Sequence, residues 1–158
     1  MGVNGCGISK RMGWHIESGP KIGYWVANEL DRGYFAERSN AIGLIRDNEI
    51  VAGVIYENWN GRSIMCHIVI KKRMTPEFVA AIFHYPFVVC GVEKIIVTIE
   101  DTNEKSVRVV KNMGFVEEGK VKDAHQFGDM LILTLSKSEC RFLRDRYVKK
   151  ISSPARDA

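Results

Sequence analysis

Residues 63–100 constrain the fold most, because two strand-like apolar runs flank one capped helix. The run "SIMCHIVI" at 63–70 is apolar on both alternating faces, which is typical of a central strand. The tripeptide "TPE" beginning at Thr75 combines an N-cap, a first-position proline and a first-turn acid. The run "EKIIVTIE" at 93–100 again reads as a strand. Two strands joined by a helix in one sheet predict a parallel pair with a right-handed crossover.

The rest of the chain predicts mostly antiparallel strands and further helices. We expect a helix over 20–30, hairpin strands at 39–46 and 49–59 around Asp47 and Asn48, a helix over 103–113, a strand pair at 115–124 and 128–136, and a terminal helix over 137–150. Asp101 and Glu104 have the spacing of a capping box for the helix at 103–113. Pro86 is expected to kink or shorten the preceding helix, and Gly91 to end it. The predicted fold class is a mixed α/β sandwich.

Length and composition indicate one domain over residues 1–158, with flexible segments at 1–13 and 151–158. No apolar run approaches 18 residues, so a membrane-spanning protein is not expected. The four cysteines are widely spaced, which favours a reduced cytoplasmic protein over a disulfide framework. The four histidines form no i, i+4 pair, so no metal site is predicted. The net charge of +4 is compatible with an anionic ligand.

The segment "NEKSVRVVKNMGF" at 103–115, with "EEG" at 117–119, resembles the motif of the GNAT superfamily of acetyl-CoA-dependent N-acetyltransferases. Asn103, Ser106, Val109, Gly114 and Phe115 fall in the motif's register. The order of elements extends the resemblance to about residues 38–136. The chain also resembles GNAT-like proteins carried by bacteriophages, which would place it in the cytoplasm of the host cell.

The resemblance implies a GNAT-like fold: a mixed, mostly antiparallel sheet with a splayed central parallel strand pair and helices on both faces. In that fold the strands at 63–70 and 94–100 separate to admit acetyl-CoA as co-substrate, whose amides satisfy the unpaired backbone groups. The helix N-terminus after the first strand would receive the pyrophosphate. The implied cofactor-binding residues are Ile68, Val69, Ile70, Lys71, Lys72, Arg73, Met74, Thr75, Asn103, Ser106, Val110 and Phe115.

The sequence departs from the family pattern at two places. The phosphate loop of the family is rich in glycine, whereas this chain reads "KKRMTP" at 71–76 and has no glycine from 63 to 90. Lys71, Lys72 and Arg73 could replace backbone amides by side-chain charge. Val110 stands where the family often has a tyrosine that protonates the leaving thiolate, and valine has no proton to donate.

The resemblance implies direct attack of a primary amine on the thioester, for which a base is useful. His67 lies in the candidate cofactor strand and titrates near neutrality in its ordinary state. Glu57, near the end of the preceding strand, is the second candidate base. Either residue has a structural alternative: a packed core histidine that is hydrogen-bonded to a neighbour, or a solvated carboxylate at a strand end. His125 and Asp129 could line the acceptor site or belong to a surface loop.

Two function classes therefore stay open. The first is an acyltransferase that moves an acetyl group from acetyl-CoA to an amine of a small molecule or a protein. The second is a GNAT-fold protein without acetyl transfer, either binding a partner protein or modifying DNA bases as the phage Mom type does. A nucleic-acid partner would bind in a strongly salt-dependent manner. A homodimer is compatible with either class.

Overall fold

The computed structural model describes residues 13–144, and the expectations for residues 1–12, 145–150 and 151–158 lie outside that part. The strands are β1 (Trp14–Ser18), β2 (Asn40–Arg46), β3 (Glu49–Glu57), β4 (Ser63–Ile70), β5 (Lys94–Glu100), β6 (Val116–His125) and β7 (Gly128–Ser136). The α-helices are α1 (Pro20–Glu29), α2 (Pro76–His84) and α3 (Glu104–Asn112). Gly13, predicted as the end of a flexible lead-in, forms a bend directly before β1.

The seven strands form a mixed sheet in the order β1-β2-β3-β4-β5-β7-β6. The pair β4–β5 is parallel, whereas β1–β2, β5–β7 and β6–β7 are antiparallel. The parallel pair is the one predicted from the strand–helix–strand segment. The mixed α/β class is therefore confirmed.

The described chain falls into two compact units. The first comprises the described residues up to Ile55 together with Ile68–Met74, and the second comprises Tyr56–His67 together with the described residues from Thr75 onward. In the first unit an apolar cluster is formed by Ile22, Val26, Ala27, Ala41, Ile45, Ile55 and Val69. In the second unit the Phe83 ring stacks on Phe142 at 4.7 Å and lies 6.4 Å from Phe115.

Local sequence signals place most boundaries correctly. Asp47 and Asn48 both have positive φ values, 50° and 65°, as the two central residues of a type I′ hairpin turn require. The Thr75 hydroxyl caps α2 by accepting from the Phe78 N–H at 3.2 Å. As expected, Pro86 shortens the helix: α2 ends at His84, and a single π-helical turn, Tyr85–Val89, leads to Gly91 with φ of 67°.

The N-cap of α3 differs from the prediction. Asn103, rather than Asp101, caps the helix, because its side-chain oxygen accepts from the Ser106 N–H at 3.2 Å. Asp101 lies in the turn that follows β5, and its carboxylate accepts from the Asp129 N–H at 3.2 Å. The capping-box interpretation of Asp101 and Glu104 was therefore wrong, since a cross-strand partner takes the carboxylate.

Two further differences concern the ends of the described chain. Strand β1 was not predicted, and it pairs with β2 over the whole of Trp14–Ser18. The predicted terminal helix is wrong in its described part, which forms two short 3-10 turns, Lys137–Glu139 and Arg141–Leu143. Cys140, between those turns, is extended and buried. Because Cys140 and Phe142 are buried, this segment does not form the helix that its sequence pattern indicates.

Candidate functional site

The two candidate bases lie side by side on adjacent strands of the second unit. The Nε2 atom of His67 on β4 is 2.6 Å from the Oε1 atom of Glu57 at the end of β3. Both side chains are largely buried, with exposed fractions of 16% and 15%. The structural alternative for Glu57, a solvated carboxylate at a strand end, is therefore wrong.

This pairing engages the Nε2 atom of His67 with Glu57. When Glu57 is ionised it only accepts hydrogen bonds, so Nε2 then carries the proton that it donates to Glu57. A neutral imidazole ring then carries its basic lone pair on Nδ1. Glu57 also favours the imidazolium ion that forms when Nδ1 takes up a proton. The arrangement is suited to removing one proton from an acceptor group.

The strand residues next to this pair are buried and structural. Tyr56 donates its hydroxyl proton to the Ile82 carbonyl at 2.6 Å, and burial raises its pKa well above the ordinary value. Burial likewise raises the pKa of the Cys66 thiol well above its ordinary value. A thiol held protonated in this way is a poor nucleophile. Cys66 is a small, buried core residue.

The parallel strands are paired over only part of their length. Their described register runs from Ser63 opposite Lys94 to Met65 opposite Ile96. Beyond Ile96, the described ladder of β5 is the one with β7, in which Val97–Glu100 lie opposite Leu133–Met130. The other edge of this part of β5 presents backbone groups suited to an amide-rich ligand.

The predicted phosphate loop is built differently from a glycine-rich loop. The backbone N–H groups of Lys71 and Lys72 both donate to the Val51 carbonyl, at 2.8 Å and 3.2 Å. The Lys71 ammonium forms an ion pair with Glu29 at 2.6 Å. Lys72 and Arg73 are exposed. Within the first unit, the cationic side chains of Lys72 and Arg73 therefore suit an anion better than the first two amides of the loop do.

The remaining predicted cofactor residues divide into core and surface positions. Ile68, Val69 and Ile70 complete β4, and Met74 ends the loop in the first unit. In the second unit, Asn103 and Ser106 form the cap of α3 and Thr75 forms the cap of α2. Val110 and Phe115 are buried, with exposed fractions of 4% and 3%. Their side chains contribute to the core of this unit.

Polar contacts at the tip of the β6–β7 hairpin involve residues that the sequence left undecided. His125 pairs with Glu100 at 3.0 Å, and the Phe127 N–H donates to the same carboxylate at 3.1 Å. Asp129 donates its N–H to Asp101. His125 and Asp129 thus hold the hairpin tip against the end of β5. No local pattern indicated Glu100, because these partners are 25 or more residues away in the chain.

An exposed tryptophan of the second unit anchors the turn that follows β3. The indole N–H of Trp59 donates to the Cys90 carbonyl at 3.0 Å, although the side chain is 60% exposed. The neighbouring Asn58 has a φ of 56° and donates to the Met65 sulfur at 3.3 Å. These contacts fix the turn that follows Glu57. The only local signal was the cluster "NWNG" of turn-forming residues.

No protein-family model matches the chain, and no curated protein matches it. Solved structures do match. A point mutant of the spermidine N-acetyltransferase SpeG from Vibrio cholerae has a TM-score of 0.66 at 14% identity, over 83% of this chain and 96% of that chain. The spermidine/spermine N-acetyltransferase SpeG from Vibrio cholerae with manganese ions has a TM-score of 0.66 at 15% identity, over 79% and 93%.

A dodecameric structure of the spermidine N-acetyltransferase from Vibrio cholerae matches with a TM-score of 0.63 at 14% identity, over 79% of this chain and 94% of that chain. These enzymes belong to the GNAT superfamily. At such identities the likeness establishes the fold, and the chain has the fold of GNAT acetyltransferases. The described residues include no helix long and apolar enough to span a membrane. They also include no group of three or more metal-ligating side chains.

Proposed function

We propose that this protein transfers an acetyl group from acetyl-CoA to a primary amine, with His67 as the general base and Glu57 as the residue that orients it. The observation that carries the proposal is the hydrogen bond of 2.6 Å between two largely buried, complementary side chains. The GNAT fold of the chain supports the choice of acetyl transfer over other proton-transfer reactions.

The reaction follows from the chemistry of this pair. The amine nitrogen attacks the thioester carbonyl carbon, the bond from that carbon to sulfur breaks, and the amine proton passes to His67 Nδ1. Glu57 remains ionised and stabilises the resulting imidazolium. Val110 cannot donate a proton to the leaving thiolate. A thiolate whose conjugate acid has a pKa of about 8.5 is nevertheless an acceptable leaving group, so the reaction needs no acid at that position.

Each unit carries groups suited to part of the cofactor. In the first unit, Lys72 and Arg73 are exposed cations suited to the phosphates. In the second unit, the edge of Val97–Glu100 carries backbone groups suited to the amides of the pantetheine arm. Acetyl-CoA, when bound, supplies the activated acetyl group.

The acceptor belongs to the class of primary amines. The solved structures similar to this chain carry names that specify spermidine or spermine, so polyamines should be the first acceptors tested. The proposal places the reaction in the cytoplasm. No observation of the described residues favours the alternative of partner binding or DNA modification without acetyl transfer.

Isothermal titration with acetyl-CoA and a thiol-release assay with spermidine, spermine and simple amines would test the proposal. His67→Ala should lower kcat by about 10²- to 10⁴-fold with little change in acetyl-CoA affinity. Glu57→Gln should lower kcat by a smaller factor and alter the pH–rate profile, because the carboxylate orients the ring and stabilises its cation. His84→Ala, at the end of α2, is the matched histidine control and should keep wild-type kinetics.

Two results would contradict the proposal. The first is an absence of acetyl-CoA binding at millimolar concentration in a protein whose circular dichroism is native. The second is a kcat of His67→Ala equal to that of His84→Ala with every amine that the wild type acetylates.

A further inference from the structure

The outermost described strand at one end of the sheet, β1, has an edge that no other described strand pairs with, and its ladder with β2 is regular along its whole length. It pairs with β2 through five consecutive residues, Trp14 to Ser18, with no shift of register. An open, regular edge of this kind presents backbone N–H and C=O groups to another strand. Trp14 and Ile16 add apolar side chains with exposed fractions of 39% and 36%.

The strand at the other end of the sheet, β6, lacks these properties. Its pairing with β7 is interrupted by register shifts between Glu117 and Gly119 and between Val121 and His125. Lysines at 120 and 122 and acidic residues at 117, 118 and 123 lie along it. Bulges and charges are the usual means of preventing edge-to-edge association. The contrast makes β1 the edge that is suited to pairing.

The sequence of β1, "WHIES", is complementary to itself in an antiparallel arrangement. Centring a two-fold axis on Ile16 places His15 opposite Glu17 of the second copy, and Trp14 opposite Ser18 of the second copy. Opposite residues of antiparallel strands point to the same face, so each imidazole would meet one carboxylate across the axis, which makes two such pairs in the dimer. Within one chain His15 and Glu17 already form an ion pair at 2.8 Å, which shows that their chemistry matches.

The geometry points to a second copy of this chain as the partner of β1, paired antiparallel with Ile16 at the two-fold axis. The two copies would form one continuous sheet through their β1 strands. Pairing of two five-residue strands buries less surface than a standard stable interface. The dimer is therefore weak and its population depends on concentration.

Site-directed cross-linking tests the register directly. In antiparallel strands, opposite Cβ atoms lie about 4.5–5.5 Å apart, close to the separation that a disulfide spans. Ile16→Cys should therefore form a covalent dimer under mild oxidation. Trp14→Cys should not link to itself, because the two copies of that position lie about 14 Å apart along the strand. A mixture of Trp14→Cys with Ser18→Cys should form a mixed disulfide dimer.

Charge exchange tests the contacts across the axis. Native mass spectrometry over a concentration series should show a wild-type dimer. His15→Glu places two carboxylates opposite each other and should weaken the dimer about tenfold, and Glu17→Lys should weaken it by a similar factor. The double variant His15→Glu with Glu17→Lys should restore it, because the pair is then again of opposite charge. Circular dichroism confirms the native fold of each variant.

Three outcomes would overturn the inference. A wild type that stays monomeric at every concentration would show that the edge does not pair. If the wild type forms a dimer but the natively folded Ile16→Cys variant forms no disulfide, the two copies associate through another surface. Cross-linking of Trp14→Cys to itself would contradict the register. Wild-type protein oxidised in parallel is the control for disulfides formed by the native cysteines. None of these measurements depends on acetyl transfer.

Discussion

The substitution Tyr56→Phe tests how β3 supports the end of α2. The carbonyl of Ile82 would ordinarily accept from the N–H of the residue four positions later, but that residue is Pro86, which has no N–H. The hydroxyl of Tyr56 donates to this carbonyl instead, at 2.6 Å. We infer that Tyr56 compensates the helix for the proline and so stabilises the π-helical turn that follows.

The magnitude follows from the burial of both groups. Tyr56 is 2% exposed, and removing its hydroxyl leaves a buried carbonyl without this donor. Loss of one partner in a buried hydrogen bond costs about 1–3 kcal/mol. For a chain of 158 residues, a loss of about 2 kcal/mol corresponds to a fall in Tm of about 4–8 °C.

Urea unfolding followed by circular dichroism measures this loss, and Tyr24→Phe is the matched control because its side chain is 57% exposed. A double-mutant cycle with Pro86→Ala tests the explanation itself. Alanine at that position restores an N–H for the Ile82 carbonyl, so Tyr56→Phe should cost at least about 0.5 kcal/mol less in the Pro86→Ala background.

Alkaline unfolding offers an independent measurement on the same variant. Because burial raises the pKa of Tyr56 in the folded state, its protonated form stabilises the fold fully below the ordinary pKa of about 10. That contribution is lost as the pH rises further towards the folded-state pKa. Tyr56→Phe should therefore lose less stability than wild type above about pH 10. Equal costs for Tyr56→Phe and Tyr24→Phe, or no coupling to Pro86→Ala, would refute the reasoning.

Substitutions at two further positions each separate two effects: packing from helix propensity at Gly23, and helix capping from ligand binding at Asn103. Gly23→Ala should destabilise the protein by about 1–3 kcal/mol despite the high helix propensity of alanine, because the new Cβ would overlap the Tyr34 ring. Gly33→Ala is the control, since a Cβ there meets no atom within 4 Å and stability should not change. Urea unfolding measures both variants, and a Gly23→Ala protein more stable than wild type would contradict the packing argument. Asn103→Ala should cost about 1 kcal/mol through loss of the bond to the Ser106 N–H, and Asn103→Ser should retain most of it. Acetyl-CoA titration of the two Asn103 variants distinguishes a cap from a ligand contact, since a loss of affinity in both at equal stability would assign Asn103 to the cofactor.

The parallel strand pair was predictable because its signals are local. Thr75, Pro76 and the two-sided apolar strand at 63–70 each act within a few residues, and the crossover rule then sets the pairing. The terminal segment could not be predicted in this way. There, stacking of Phe142 on Phe83, 59 positions earlier in the chain, competes with a local helical pattern and prevails.

The candidate site shows the same division between local and distant information. His67 and Glu57 were identified separately, each by its residue type and its position on a strand. Their hydrogen bond depends on how β3 and β4 are aligned, which the turn between them sets through the positive φ of Asn58 and the anchoring of Trp59. A backbone conformation and a contact with Cys90 are not encoded in the strand pattern, so the pair itself could not be predicted.

The position of Val110 clarifies what its departure from the family pattern means. The side chain is 4% exposed, so the residue is part of the core of its unit rather than a surface position that lacks a hydroxyl. A tyrosine there would have to displace core side chains before its hydroxyl reached solvent or a ligand. The proposed reaction, by contrast, assigns proton removal to two side chains in direct contact. If the chain transfers an acetyl group, its rate should therefore depend on His67 and Glu57 and not on a proton donor in α3.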